Sequence, residues 1–410
     1  MSTDTAIGTR AAVGFSEKIN SREAGAEAAR RALDQLETER CDLVLLFATS
    51  KYDPALIREG VRSVVGSAPL FGASAVGIIT NDQLGYEGYQ VGVALIVSET
   101  MKFEVFIERG VSDNEYGVGR GLGEQIRASG VTGEESLLLL YDIVKAKMSD
   151  GGLNMNMATP LLLGLRETIG DWSHVAGCGT MGDMQWNPSF QWFNDSIEQQ
   201  SAMALVISEG LQLDTVTIHG ARPSSMYYTI TKAEGNNVLE LDGRPTAQVI
   251  SDLLGPNSTT PWEGYPLFIT LGVNNGDKFG EYNDDHYAVR LCMGVDRERG
   301  GLLMFGDDLI TGSEVQLMRR SVDFSYIKPR VEELLKRVGT RKPVLALYID
   351  CAGRAAAYSG TEREDAAEVQ QAIGPEIPLL GWYVGCEIAK AGPLLQSHNW
   401  TGVLSVLSVA

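Results

Sequence analysis

One pattern of elements recurs three times along this chain and constrains its fold more than any single motif does. An apolar run ends in a small or acidic residue, and a helical stretch follows. Then come a second short apolar strand, a glycine-rich turn and a long extended strand. In the first copy Leu43–Ala48 ends in Thr49-Ser50, a helix covers Asp53 to Val65, and Pro69–Phe71 leads into Gly72-Ala-Ser-Ala-Val-Gly77 and the strand Val91–Ser98. Asp53-Pro54 has the chemistry of an N-cap followed by proline at the first helical position. The second copy runs through Leu137–Tyr141, Asp142, a helix around Pro160–Thr168, the turn Gly177-Cys-Gly-Thr-Met-Gly182-Asp183 and Ala202–Ser208. The third has Val344–Ile349, Asp350, a helix over Glu362–Ala372, a turn from Gly381 to Glu387, and Gly402–Ser408. The segment ALIVSE at 94–99 echoes ALVISE at 204–209.

After the first two glycine turns the pattern changes to strand pairs. Gln90–Val97 with Lys102–Ile107, and Ala202–Ile207 with Gln212–His219, read as antiparallel hairpins. The stretch Ala221–Thr260 is dense in turn residues and reads as the boundary region. Beyond it lie a strand at Pro266–Gly272, a hairpin of His286–Met293 with Gly301–Phe305, and an amphipathic helix over Asp323–Val338. The expected class is therefore α/β. Mixed sheets are built from repeated strand–helix–strand–glycine-turn–hairpin units, in two domains at 13–235 and 236–410. A length of 410 residues agrees with two domains.

Composition narrows the partners. With 53 acidic against 34 basic residues, the formal charge of −19 repels nucleic acid and anionic lipid, so neither is an expected partner. Five separated cysteines without a C-x-x-C pair argue against a disulfide framework or a structural zinc site. The N-terminal MSTDTAIGTRAAVGF has no basic region followed by an apolar one, and no apolar run approaches a membrane span. A cytoplasmic protein is expected.

The glycine turns are the candidate site. Glycine lets a ligand approach the backbone closely, turn amides favour carboxylate or phosphate oxygens, and ligands of α/β sheets sit at strand carboxyl ends. Gly72, Ala73, Ser74, Gly177, Cys178 and Gly179, with Asp142 and Asp350 at neighbouring strand ends, suit a small zwitterion such as an amino acid. Glycine at such places also simply permits tight turns and close packing.

Known phosphate motifs are excluded. Gly72–Gly77 has P-loop spacing, but Ile78-Ile79 stand where Lys and Ser/Thr are required, and Asp183 after Gly182 would repel phosphate. Gly117-Val-Gly119-Arg-Gly121-Leu-Gly123 reads as a glycine-spotted surface helix rather than a dinucleotide fingerprint. Catalytic chemistry is thin. Cys178, four residues after His174, is the one candidate nucleophile, and it reads better as a packing cysteine. The 4 histidines form no metal motif, so neither metal nor catalytic residues are expected. His286, after Asn283-Asp284-Asp285, has the most polar setting. Trp262 and Trp382 suit either core packing or a ligand face.

The ordered motifs resemble the FIST family, named for F-box and intracellular signal transduction proteins. The FIST N domain is resembled through Cys41–Ser50, LFGASAVGI at 70–78 and VAGCGTMGD at 175–183. The FIST C domain is resembled through PLFITLGVN at 266–274, YAVRLCMGVD at 287–296 with Arg290, and IPLLGWYVGCEIA at 377–389. The resemblance covers roughly residues 13–390 and implies a sensory domain for small ligands such as amino acids. Arg290 would pair with a ligand carboxylate, and Glu387 and Trp382 would complete the site. Relatives are fused to kinases, cyclic-dinucleotide enzymes, chemoreceptors or F-boxes, so a separate histidine kinase or cyclic-dinucleotide enzyme is the expected signalling partner. Some bacterial members bind haem and sense nitric oxide, which makes haem with an axial His286 or His174 the alternative cofactor reading. The family's closing motif has glycine where Cys386 stands here.

Overall fold

The structure, a computed structural model, describes residues 8–147, 153–255, 261, 264 and 269–409. The first unit comprises β1 (Arg10–Ser16), α1 (Ser21–Leu36), β2 (Leu43–Thr49), α2 (Pro54–Val65), β3 (Leu70–Ala75), the hairpin β4 (Gly77–Thr80) and β5 (Leu84–Tyr86), and β6 (Val91–Val97). Asp53 caps α2 as expected, its carboxylate accepting from the amides of Ala55 and Leu56. Every residue of β2 and β6 is buried, because each has a strand on both sides and is covered on both faces.

The second unit repeats the order. It has β7 (Lys102–Arg109), α3 (Glu115–Ala128), β8 (Ser136–Asp142), the short pair β9 (Val144–Lys147) and β10 (Leu153–Met155), and α4 (Ala158–Ile169). Then follow β11 (His174–Thr180), the hairpin β12 (Gln191–Phe193) and β13 (Ser196–Glu198), and β14 (Ser201–Ser208). The third unit opens with β15 (Leu211–Ile218). The chain then leaves it for a separate antiparallel sheet: β16 (Ala221–Pro223), β17 (Tyr228–Glu234), β18 (Asn237–Leu241), β19 (Arg244–Pro245), β20 (Ile269–Asn274), β21 (Tyr287–Asp296), β22 (Gly301–Met304) and β23 (Glu314–Arg320). It returns through the helix Ile327–Val338, β24 (Lys342–Cys351), the helix Asp365–Ile373, β25 (Leu379–Val384), the hairpin β26 (Cys386–Ala391) and β27 (Leu394–His398), and β28 (Gly402–Val409).

The three units close on one another through their hairpins. The sheet orders are β1-β6-β2-β3-β12-β13, β7-β14-β8-β11-β26-β27 and β15-β28-β24-β25-β4-β5. Each unit contributes four strands in the order first, last, second, third, and its third strand is edged by a hairpin from another unit. The second unit lends its hairpin to the first, the third to the second, and the first to the third. Within each sheet the second and third strands run parallel and the rest antiparallel, so the sheets are mixed. One apolar cluster joins Phe47, Phe71, Leu140, Met203, Leu347 and Trp382 from all three units.

Both hairpins expected between successive units are absent. β6 is flanked by β1 and β2, and β14 by β7 and β8, so neither has a free edge for the strand that follows it in sequence. Instead β7 pairs with β14 and β15 with β28, and the turn-like segments carry the chain from one sheet to the next. The hairpin β21–β22 is present. The stretch expected as a boundary loop, Ala221–Thr260, holds β16 to β19 and the helix Thr246–Leu254 among its described residues. The glycine-spotted helix is α3, and two of its four glycines, Gly119 and Gly123, face α4 rather than solvent: a Cβ on Gly119 would lie 1.9 Å from the Leu161 carbonyl oxygen.

Candidate functional site

The glycine strands lie where the three sheets meet. A Cβ would stand 1.7 Å from the Leu46 carbonyl oxygen at Gly72, 2.3 Å from that of Leu139 at Gly177, and 2.8 Å from that of Tyr348 at Gly381. These glycines serve close approach of the parallel neighbouring strand. At Gly179 the missing side chain makes room for the Tyr141 ring. The other edge of each strand is taken by the borrowed hairpin, with Ala73 opposite Gln191 and Cys178 opposite Glu387. Ser74 N donates to Phe190 O at 2.7 Å, and Ser74 Oγ accepts from Phe190 N at 2.8 Å. The backbone amides proposed for a ligand are therefore already in sheet ladders.

The position after each glycine turns inward. Ala73, Cys178 and Trp382 are fully buried in the shared core. The Trp382 ring stacks on Phe47 with centroids 3.8 Å apart, and its Nε1 donates to Cys178 Sγ at 3.4 Å. Trp382 thus plugs the centre of the molecule. Burial pushes the Cys178 thiol far above its ordinary value, which keeps it protonated and unsuited to nucleophilic attack. His174 stands at the opposite end of β11, its Nδ1 3.0 Å from Leu213 O. Trp262 lies outside the described residues.

The two strand-end aspartates do not meet. Asp142 faces Thr180, three residues after Gly177, whereas Asp350 faces Tyr383, two after Gly381. A one-residue offset puts them on opposite faces of equivalent strands. The Asp142 carboxylate accepts from Val144 N (3.1 Å), Ser189 Oγ (2.7 Å), Gln200 N (3.1 Å) and Gln200 Nε2 (2.9 Å). Burial nevertheless outweighs those four donors and raises it to about 6.

Asp350 belongs to a sealed cluster with Glu387, the other predicted carboxylate, and with Arg354 and Asp365, which the sequence reading missed. Arg354 Nε lies 3.0 Å from Asp350 Oδ1, off the hydrogen-bond axis, and Arg354 also pairs with Asp365. Glu387 Oε2 accepts from Thr401 N at 3.1 Å. Desolvation raises Asp350 and Glu387 well above the carboxylate range; the charge of Asp365 adds to the rise at Asp350, that of Asp350 adds to the rise at Glu387, and Arg354 opposes both.

Arg290 is also spoken for. Its guanidinium pairs with Asp308 at 2.7 Å and donates to Ser397 O at 2.7 Å and Gln396 Oε1 at 3.2 Å, clasping β27 to the loop after β22.

That clasp forms one wall of a crevice at the carboxyl end of β8. A recess of about 30 Å³ is lined by Tyr141, Asn156, Thr159, Phe305, Asp308 and Cys386. Thr159 and Asp308 also line an adjoining groove of about 240 Å³, whose walls are Leu162, Leu163, Val273, Leu309, Leu394 and Leu395, with Arg290 and Gln396. The recess has two unanswered polar features. The α4 N-cap, Met157, brings no side-chain acceptor to the first-turn amides. Asn156 is buried, with Nδ2 donating to Asp142 O at 2.7 Å and Gln200 Oε1 at 3.1 Å while Oδ1 has no partner. Of these residues Pro160 alone signalled a helix start in the sequence; Asn156, Thr159, Asp307 and Asp308 carried no pattern of their own.

A larger cleft, about 500 Å³, opens at the amino end of β11 and holds both His174 and His286. Its charged walls are largely paired among themselves. Asp285 accepts from Thr217 N and Oγ1 and pairs with Arg330 and Arg337. Burial pushes Asp285 up, but the two arginines outweigh it and hold its carboxyl below the usual range. Among the described residues no group of metal-ligating side chains could hold an ion, and no helix is long and apolar enough to cross a membrane.

Comparison with known proteins agrees with this architecture. The model of the FIST N domain matches residues 42–244, and that of the FIST C domain matches 246–390. An uncharacterised protein of Methanocaldococcus jannaschii is 24% identical over 258 residues, 57% of this chain and 49% of that protein. An uncharacterised protein of Mycobacterium bovis is 25% identical over 226 residues, 52% of this chain and 55% of that protein. The chain thus spans about half the length of the curated relatives it matches. Among solved structures, a cyanuric acid hydrolase from A. caulinodans aligns with a TM-score of 0.28 at 10% identity, covering 50% of this chain and 72% of that one, too remote to inform function. Matched by both domain models along most of its length, the chain belongs to the FIST family.

Proposed function

We propose that this chain is a small-ligand sensor that binds an amino acid or related metabolite in the crevice at the end of β8. It reports the ligand rather than transforming it, passing the signal to a separate protein such as a histidine kinase or cyclic-dinucleotide enzyme. FIST domains are associated with small-ligand sensing in signal transduction. The observation that carries the reading is the make-up of the crevice: α4 of the FIST N part forms one wall, and Arg290, Asp308 and Leu394 of the C-terminal part form the other. A ligand there touches both parts at once, so its binding energy bears directly on how they are held together.

The haem alternative finds less support. A porphyrin needs apolar walls for its faces, and the cleft holding His174 and His286 presents Asp214, Thr217, Asn275, Asp285 and Arg337. Those residues do not fit the group, and titration with haem is expected to give no Soret shift dependent on either histidine.

A thermal-shift screen of amino acids and related metabolites tests the sensor reading. A ligand at about 100 times its Kd stabilises by about 2.7 kcal/mol. If no compound moves the melting temperature, the reading fails.

A further inference from the structure

We infer that the ligand of this crevice is an α-amino acid with an aliphatic side chain, an inference that rests on the sensor reading above. Residues lining the recess leave one set of donors and one acceptor unanswered. The donors are the amides of Ala158 and Thr159 at the start of α4, which receive no acceptor from Met157; Pro160, third in the helix, has no N–H to offer. A twelve-residue helix presents them together with the positive end of its dipole. The acceptor is Asn156 Oδ1, fully enclosed and without a partner. Its orientation is fixed, because Nδ2 is spent on Asp142 O and Gln200 Oε1. Buried polar atoms in folded proteins find partners, so this oxygen calls for a donor from outside the chain.

An amino-acid head group supplies both complements within one small unit. Its carboxylate accepts from the amides of Ala158 and Thr159, and its ammonium donates to Asn156 Oδ1. Of the two acids that line the recess, Asp308 is neutralised by Arg290 and Asp307 is exposed to solvent, where its charge is screened. At about 30 Å³ the recess admits only small polar groups, so anything larger on the same carbon must leave past Thr159 and Asp308. That exit leads into the groove of about 240 Å³ walled by five leucines and Val273. The charged groups there, Arg290, Arg166 and Asp308, are paired: Arg290 with Asp308 and Arg166 with Asp171. A charged ligand side chain would lose its hydration without gaining a partner, whereas a branched aliphatic one gains about 25 cal/mol for each Å² it buries.

The test is a thermal-shift and calorimetric comparison on the full chain. L-leucine, L-isoleucine and L-valine are set against glycine, L-glutamate and L-lysine, and also against 4-methylpentanoate and 3-methylbutylamine, which keep leucine's tail and lose one head-group charge. The aliphatic amino acids are expected to raise the melting temperature, with each truncated analogue at least about tenfold weaker, as for one lost charge-assisted hydrogen bond. Leu163→Glu, at a groove position 55% exposed and therefore tolerant, is expected to weaken leucine about tenfold or more while leaving the unliganded melting temperature unchanged. Asn156→Ala is expected to abolish binding, and Leu163→Glu decides the matter should that variant not fold. Stronger shifts from glutamate, lysine or a non-amino-acid metabolite overturn the aliphatic assignment and leave the sensor reading standing. Leucine binding indifferent to Leu163→Glu also overturns it. No shift from any compound overturns both.

Discussion

Asp142 is expected to make this protein less stable as pH rises from about 4 to 7, and Asp142→Asn to remove that dependence. Four donors face the carboxylate, yet complete burial wins and lifts its pKa from 3.8 to about 6. A carboxyl raised in the folded state binds its proton more tightly there than in the unfolded chain. Its contribution to stability is therefore full below the unfolded value and is lost as pH passes through the folded one. A rise of that size corresponds to roughly 3 kcal/mol. Asparagine has no charge to desolvate, but its amide must turn toward either the Ser189 and Val144 pair or the two Gln200 donors, stranding a buried N–H at a cost of about 1–3 kcal/mol. The variant should thus be the less stable protein near pH 4. By pH 7 the difference should have shrunk or reversed, with ΔΔG moving by roughly 3 kcal/mol across the range. Asp350 and Glu387, also raised, are present in both proteins and cancel in the comparison. Urea unfolding at half-unit pH steps measures both curves. Parallel stability profiles for the two proteins would refute the claim that burial dominates at Asp142.

Trp382→Ala empties the space between Phe47 and Cys178 and is expected to cost about 3–5 kcal/mol, read as a lower urea midpoint. Arg354→Met removes the buried cation that pairs with Asp350 and Asp365 and should cost about 3–5 kcal/mol, read as a lower urea midpoint. Of the 5 thiols only Cys41 is partly exposed, so a thiol reagent should modify at most one cysteine promptly in the native protein and all of them in urea. A fragment ending after β14 leaves the Gly177–Gly179 edge of β11 without β26. It should be insoluble alone and recovered on co-expression with the remainder; a monomeric, folded fragment would contradict the exchange of hairpins.

The recurrence of one unit was legible because each copy must satisfy the same local physics. Asp53-Pro54 starts a helix whatever surrounds it, and strands covered on both faces, such as Val91–Val97, read as unbroken apolar runs. That same run carried the clue against a β6–β7 hairpin: a strand buried on both faces is a central one, with no edge left for its successor. The exchange of hairpins was out of reach, since β12 reads as Gln-Trp-Phe in a polar stretch and pairs with Phe71–Ala73, more than a hundred residues away. The glycine turns were found for a sound reason and assigned the wrong neighbour. Absence of a Cβ marks a close approach, but sequence does not say whether a ligand or another strand approaches, and here Leu46, Leu139 and Tyr348 do. The carboxylates of Asp142 and Asp350 looked equivalent because each ends an apolar run, yet in a strand a shift of one residue reverses the face. The crevice escaped notice because an unanswered group leaves no mark in a sequence. Asn156 matters for the hydrogen bond it lacks, and that becomes visible only once Asp142 and Gln200 have taken the ones it makes.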